Sequence, residues 1–148
     1  MPGDSSRYRL ERVPDTSRDL AWLDAECFPE DAPYPKAGAE WWAIRCAGAG
    51  LVAFGGLRYW PADHAGFLCR AGVLREHRGH GLQRRLIRAR IRHAQRAGWS
   101  GLYTYTAPWN CKSANNLIAE GFTTFEPVSR ARWGGEGMVY WWLGLNPS

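Results

Sequence analysis

An α/β fold, with a central mixed sheet flanked by helices, is predicted by three features of the sequence. The apparent elements run β-α-β-β-β-α-β-α-β-β, an order that places helices on the faces of a mixed sheet. The hydrophobic pattern changes at Leu82 from the alternation of strands to the 3.6-residue period of a helix. Turn-forming clusters rich in Gly, Pro and Asp separate short runs of aromatic and aliphatic residues. The 148 residues fit one domain spanning 1–148, large enough to bury a core without disulfides or a structural metal.

The first strand is read over Tyr8 to Val13. Pro14 and Asp15 then open a helix through Ala21, Trp22, Ala25 and Phe28, with Asp15, Thr16 or Ser17 as its cap. Three prolines between Pro29 and Gly38 give a loop or a short broken helix. Strands follow over Trp41 to Cys46, Leu51 to Tyr59 and Gly66 to Leu74. From Leu82 to about Gly98, Leu82, Leu86, Ile87, Ile91, Ala94 and Ala97 share one helical side. Arg84, Arg85, Arg88, Arg92 and Arg96 fall within an arc of about 120° opposite them. A strand over Leu102 to Thr106, a short helix over Ser113 to Glu120 closed by Gly121, and strands over Phe122 to Phe125 and Met138 to Leu143 complete the order.

The composition is that of a globular protein, 45% hydrophobic and 22% charged, and its nine tryptophans read as core and rim. The net charge is +5, nearly all of it from arginine. Arginine suits bidentate contact with phosphate or carboxylate, so a polyanionic partner fits, whether cofactor or nucleic acid. Cys27, Cys46, Cys69 and Cys111 are widely spaced and form no CxxC pair. They read as reduced thiols, with neither disulfides nor a metal site, in a cytoplasmic protein. The first residues carry no apolar signal stretch, and no run approaches the roughly 20 apolar residues of a membrane span.

The most informative segment runs from Gly72 to Gln83: an apolar strand, a polar turn carrying Gly79 and Gly81, then the start of the amphipathic helix. Successive N–H groups at such a turn, with the helix dipole behind them, bind a phosphate. Arg78 and Arg84 can add charged hydrogen bonds. No Gly-Lys-Ser/Thr follows, which excludes a nucleotide P-loop, and no third glycine makes a dinucleotide fingerprint. A second segment, Asn110 to Phe122, follows a strand and forms a short helix ending in Gly121-Phe122.

Taken together, Arg78-x-x-Gly81 after a strand and Asn110-x-x-Ser113 with Gly121-Phe122 downstream resemble the GNAT (GCN5-related N-acetyltransferase) superfamily, from about Leu51 to Phe125. The resemblance implies a GNAT-like acyl-CoA N-acyltransferase fold with acetyl-CoA as co-substrate. Val73, Leu74 and neighbouring strand backbone would pair with the pantetheine arm. The backbone of Gly79, His80, Gly81, Leu82, Gln83 and Arg84 would hold the pyrophosphate, with Arg78 beside it. Asn110 and Ser113 would approach from the other side, and a cleft would open where the strands around Val73 and Tyr105 part. Gln83 stands where the family usually has Gly or Ala, and its longer side chain is expected to point away. Leu117 stands where the family often has a proton-donating Tyr. The catalytic residues are therefore open, with Tyr105 and Ser113 as candidates.

The expected reaction is direct attack by a neutral amine on the thioester. Cys111 has no His close in sequence to activate it as a nucleophile. His77 and His80 form an H-x-x-H pair without a carboxylate or Cys to complete a metal site, and read as phosphate-adjacent or solvent-facing. Of Tyr103 and Tyr105, or Thr104 and Thr106, one pair faces the cleft. Arg70, inside an apolar strand, must be paired or reach the acceptor cleft. Glu26, Glu30 and Asp31 lie on the expected acceptor side, where a solvated role is the default. Arg130, Arg132 and Trp133 fall in a loop, Glu126 to Gly137, that together with Pro29 to Gly38 could cover the acceptor. The expected partner is a small-molecule, peptide or protein amine rather than nucleic acid or membrane, and a homodimer is compatible. The competing classes are a basic nucleic-acid-binding module using the arginine face, and an enzyme of the same family whose acceptor is carried on RNA.

Overall fold

The computed structural model describes residues 7–127 and 137–145; Arg130, Arg132 and Trp133 lie outside them. A seven-stranded mixed sheet carries three helices. The strands are β1 (Tyr8–Val13), β2 (Glu40–Cys46), β3 (Gly50–Trp60), β4 (Ala65–Val73), β5 (Gly101–Thr106), β6 (Thr123–Phe125) and β7 (Val139–Gly144); the helices are α1 (Arg18–Cys27), α2 (Leu82–Ala97) and α3 (Cys111–Ala119). The order across the sheet is β1-β2-β3-β4-β5-β7-β6. Every neighbouring pair is antiparallel except β4 and β5, which run parallel with α2 as the crossover between them.

The alternation of β2 explains how the sheet is filled. Trp42, Ile44 and Cys46 join a core with Leu82, Leu86 and Ile87 of α2. Trp41 and Ala43 join a second core with Leu20 and Leu23 of α1. Successive strand residues point to opposite faces, so one apolar strand supplies both layers.

Local signals set the ends of the helices. Of the three candidate caps, Ser17 is used: its Oγ accepts the Leu20 N–H at 3.1 Å. Ser17→Ala is expected to lower the stability of the fold by about 1 kcal/mol, seen as a lower urea midpoint at unchanged slope. Gly98, at φ +75°, closes α2 by donating to the Ala94 carbonyl. α3 starts at Cys111 rather than Ser113, because the Asn110 side chain accepts the Ser113 N–H at 3.2 Å and so fixes the cap two residues earlier. The Pro29 to Gly38 segment has no helix. Two positions on α2 depart from the helical reading. Ala97 is exposed in the last turn, whereas Arg90 is buried with 2% of its surface accessible. Among the described residues, no helix is long and apolar enough to cross a membrane.

Candidate active site

β4 ends in a single 3₁₀ turn, Arg75–His77, and the chain then passes through Arg78-Gly79-His80-Gly81 into α2. Gly79 and Gly81 sit at φ +86° and +72°, the left-handed region that glycine enters without strain. A Cβ on either would meet nothing within 4 Å, so packing does not exclude a side chain there; the conformation does, and the space in front stays open. No side chain caps α2, which leaves its first N–H groups and the positive end of its dipole facing that space. Both glycines line a cavity of about 640 Å³ whose other walls include Val73, Asn110 and Ser113.

The strand edge beside this turn is open where an extended ligand could pair. The Leu74 N–H donates to the Val52 carbonyl at 2.8 Å. In an antiparallel ladder the next residue points the other way, so Val73 turns its N–H and C=O from β3 toward the cavity, where the Arg78 Nε donates to its carbonyl at 3.3 Å. Leu74 is placed differently from Val73: its N–H is engaged by β3 and its side chain packs on both cores. The Arg84 side chain is also turned away, closing with Arg88 on Glu120 at 2.9 Å, so Arg84 can serve the turn through its backbone alone. Arg85 donates to the Tyr8 carbonyl. Of the arginine face, Arg88, Arg92 and Arg96 are exposed, Arg88 while paired with Glu120.

The cleft follows from the strand pairing. β4 and β5 pair over Ala65↔Gly101, Gly66↔Leu102 and Phe67↔Tyr103 and then part. At the parting point the Thr104 hydroxyl donates to the Leu68 carbonyl at 2.8 Å, a side chain replacing a ladder bond. Just beyond, Gly55 faces Ala71 and Gly56 faces Cys69, which leaves Arg70 as the extra residue of a β-bulge on β4. Bulges re-aim a side chain and end regular pairing. A cavity of about 510 Å³ fills the gap, and Phe28, Gln83, Asn110 and Ser113 line it as well as the turn cavity. One trough therefore runs from the glycine turn to the fork between the strands.

The bulge sends Arg70 to two carboxylates. Its Nε donates to Asp24 at 2.8 Å and its Nη1 to Asp31 at 3.0 Å, while its guanidinium lies 3.9 Å over the Phe28 ring. Arg70 is thus both paired and on the cleft wall. Asp24, 1% accessible, also takes Lys36 Nζ at 2.8 Å and the Tyr34 N–H at 3.1 Å. Burial pushes its carboxyl up, but hydrogen bonds from Lys36, Arg70 and the Tyr34 backbone outweigh that and hold it below its ordinary value. Asp31, half exposed, lines the cleft; Glu26 and Glu30 are exposed.

Tyr105 lines the cleft, stacked on Phe67 at 5.7 Å, whereas Tyr103 is buried. Leu117 is buried in the core beneath the cleft and is without a polar atom to donate. Ser113 lies on the shared wall, its N–H engaged by Asn110. His77 Nδ1 lies 2.9 Å from the Tyr8 hydroxyl, and His80 packs on the same ring. Among the described residues no group of His, Cys, Asp or Glu is gathered for a metal. Gln83 does not point away: it lines both cavities, and its Oε1 is buried without a hydrogen-bond partner. Thr104 and Thr106 line the cleft with Tyr105, and Asp24 and Arg90 were missed in the sequence.

A sequence model of the acetyltransferase (GNAT) family matches residues 8–122. The chain belongs to the GNAT acetyltransferase family. No curated protein sequence matches it. Among solved structures, similar folds include the ribosomal-protein-S18-alanine N-acetyltransferase of Escherichia coli (TM-score 0.76, 13% identity, 95% of this chain and 96% of that one). The spermidine/spermine N-acetyltransferase SpeG of Vibrio cholerae is also similar (TM-score 0.72, 14% identity, 95% of each). So is yncA of Salmonella typhimurium, solved with its cofactor acetyl-CoA (TM-score 0.76, 14% identity, 96% of each). For a GNAT acyltransferase, open space in front of two left-handed glycines and an uncapped helix N-terminus is a seat that fits a pyrophosphate.

Proposed function

We propose that the protein transfers an acetyl group from acetyl-CoA to a primary amine by direct attack. The observation that carries this reading is the continuous trough from the glycine turn to the β4–β5 fork, open on its far side beside Asp31 and Arg70. Gly79 to Arg84 would hold the pyrophosphate through backbone N–H groups, and Val73 would pair with the pantetheine arm as an added strand does. Asn110 and Ser113 would close on the donor from α3. The thioester then reaches the fork while the amine enters from the other side.

The amine nitrogen bonds to the carbonyl carbon, the C–S bond breaks, the amine loses a proton, and the CoA thiolate regains one. Freeing an aliphatic amine of pKa about 10.4 at neutral pH costs about 4–5 kcal/mol, so a proton acceptor at the entrance helps. Asp31 is the carboxylate placed there, through water. The leaving thiolate, of pKa about 8.5, needs little assistance, and Tyr105 on the cleft wall is the hydroxyl that can supply it. Tyr105→Phe is expected to lower kcat by less than about tenfold, short of the 10²-fold that loss of an essential general acid brings, while the Kd for acetyl-CoA is unchanged by calorimetry. Leu117→Tyr should alter the alkaline limb of the pH–rate profile only modestly; a gain of orders of magnitude would mean that no other proton route operates.

Direct attack is also supported by the state of the two thiols that line the trough, Cys27 and Cys69. Cys27 lines the donor channel, but burial pushes its thiol up to about 11, and burial raises Cys69 too. Neither supplies thiolate at neutral pH. The test is an amine panel read by thiol release, with intact mass of the enzyme after acetyl-CoA alone. Acceptor-dependent thiol release without an acetyl-enzyme adduct is expected; a stable adduct that acceptor discharges would replace direct attack with a two-step route.

A further inference from the structure

The unusual residue of the cleft is Arg90. It projects from the inward face of α2, at i+7 from Gln83 and i+3 from Ile87, and all three line the fork cavity. Gly55 makes room for it: a Cβ there would stand 3.0 Å from the Arg90 Cζ. The guanidinium donates from Nε to the Leu86 carbonyl at 3.1 Å and from Nη1 to the Gly56 carbonyl at 2.9 Å. These bonds use two of its five N–H donors.

Charge accounting isolates it further. Arg70 is balanced by Asp24 and Asp31, and Lys36 by Asp24. Among the described residues no carboxylate pairs with Arg90, although it is 2% accessible. Burial lowers its pKa to about 10, which keeps it charged at neutral pH. A buried cation without an anion is strongly unfavourable, and two carbonyls alone do not require one. Nearly two turns back along α2, about 10 Å in axial rise, the Gln83 Oε1 on the same cavity wall is without a hydrogen-bond partner. The cleft thus offers a fixed cation at its inner end and an acceptor higher up, complementary to a ligand with an anionic group beyond an N–H.

We propose that Arg90 is the counter-ion for a substrate carboxylate bound at the β4–β5 fork, so that one of the two reactants is an anion there. The inference rests on the acyltransferase reading above and names its substrate class. The carboxylate has two sources: the far end of a dicarboxylic acyl group on CoA, or an amino-acid-like acceptor. In either case Arg90 binds and positions, and the amine–thioester chemistry is unaltered.

The experiment has a donor arm and an acceptor arm, each with a binding readout. In the first, calorimetry compares succinyl-CoA with butyryl-CoA, of equal chain length but uncharged. In the second, with CoA bound, it compares an α-amino acid with the amine that remains when its carboxylate is removed. Thiol release is measured for the same pairs. The wild type should favour the charged member at least tenfold in one arm, which identifies the source. Arg90→Met should remove the preference and Arg90→Lys should retain part of it. No preference in either arm of the wild type overturns the proposal, and that comparison stands even where Arg90→Met does not fold. A preference that survives in Arg90→Met overturns it as well. Failure of every acyl-CoA to bind would instead overturn the acyltransferase reading itself.

Discussion

Gly81→Val is expected to abolish the thermal stabilisation that acetyl-CoA gives the protein, while leaving the fold intact. At a ligand concentration a hundredfold above Kd, binding stabilises the native state by about 2.7 kcal/mol, and each kcal/mol raises the melting temperature by about 2–4 °C in a chain of this size. Gly81 has φ +72°, and a Cβ there meets no neighbour within 4 Å. Valine therefore brings conformational strain of about 1–2 kcal/mol and fills the open space in front of the helix N-terminus. The variant should melt a few degrees lower without ligand and show no shift with it. A full acetyl-CoA shift in the folded variant would remove the turn from the donor site.

How much of this arrangement could be read from the chain depends on whether it is local. The glycine turn, the Asn110 segment and the element order are local patterns, and the sequence carried them. Arg90 was also legible, though overlooked. At about 100° per residue, Arg90 falls about 80° from Leu82, inside the apolar arc and far from the other arginines. Gln83 falls in the same arc, about 100° away, which argues against a side chain pointing outward. The bulge at Arg70 and the two cations on Asp24 were not legible. They depend on how β4 registers against β3 and on where the Pro29 to Gly38 loop returns, contacts 12 to 46 residues apart in sequence. For the same reason the pair Tyr103 and Tyr105 could not be told from Thr104 and Thr106 as the cleft-facing one before the fork was placed; Thr104, Tyr105 and Thr106 line it.

The largest expected effect on stability is at Asp24. Asp24→Asn keeps the shape but removes the charge facing Lys36 and Arg70, whose side chains are 10% and 15% accessible. Removing one partner of a buried pair costs about 3–5 kcal/mol, measurable as a lower urea midpoint. The native carboxyl lies below its ordinary value, so its contribution is present above the unfolded carboxylate range. It is lost as pH falls through the native value. The wild type should weaken in acid more steeply than Asp24→Asn does. Parallel acid limbs would remove Asp24 as the source of that dependence.

The two walls of the trough are written in different materials, and this bears on how such a protein diversifies. The wall proposed for the donor is main chain: N–H groups, a helix terminus, a strand edge, with two glycines to set direction. Replacement of His80 between those glycines would leave the main-chain groups in place, so such a wall can keep its form while side chains change. The 13–14% identity to solved structures at TM-scores of 0.72–0.76 shows how far sequence diverges while this fold persists. The opposite wall is side chains, among them Asp31, Arg70 and Tyr105, where a single codon change rewrites the chemistry presented. An ancestral donor grip can thus be inherited unchanged while the accepted partner is exchanged one residue at a time.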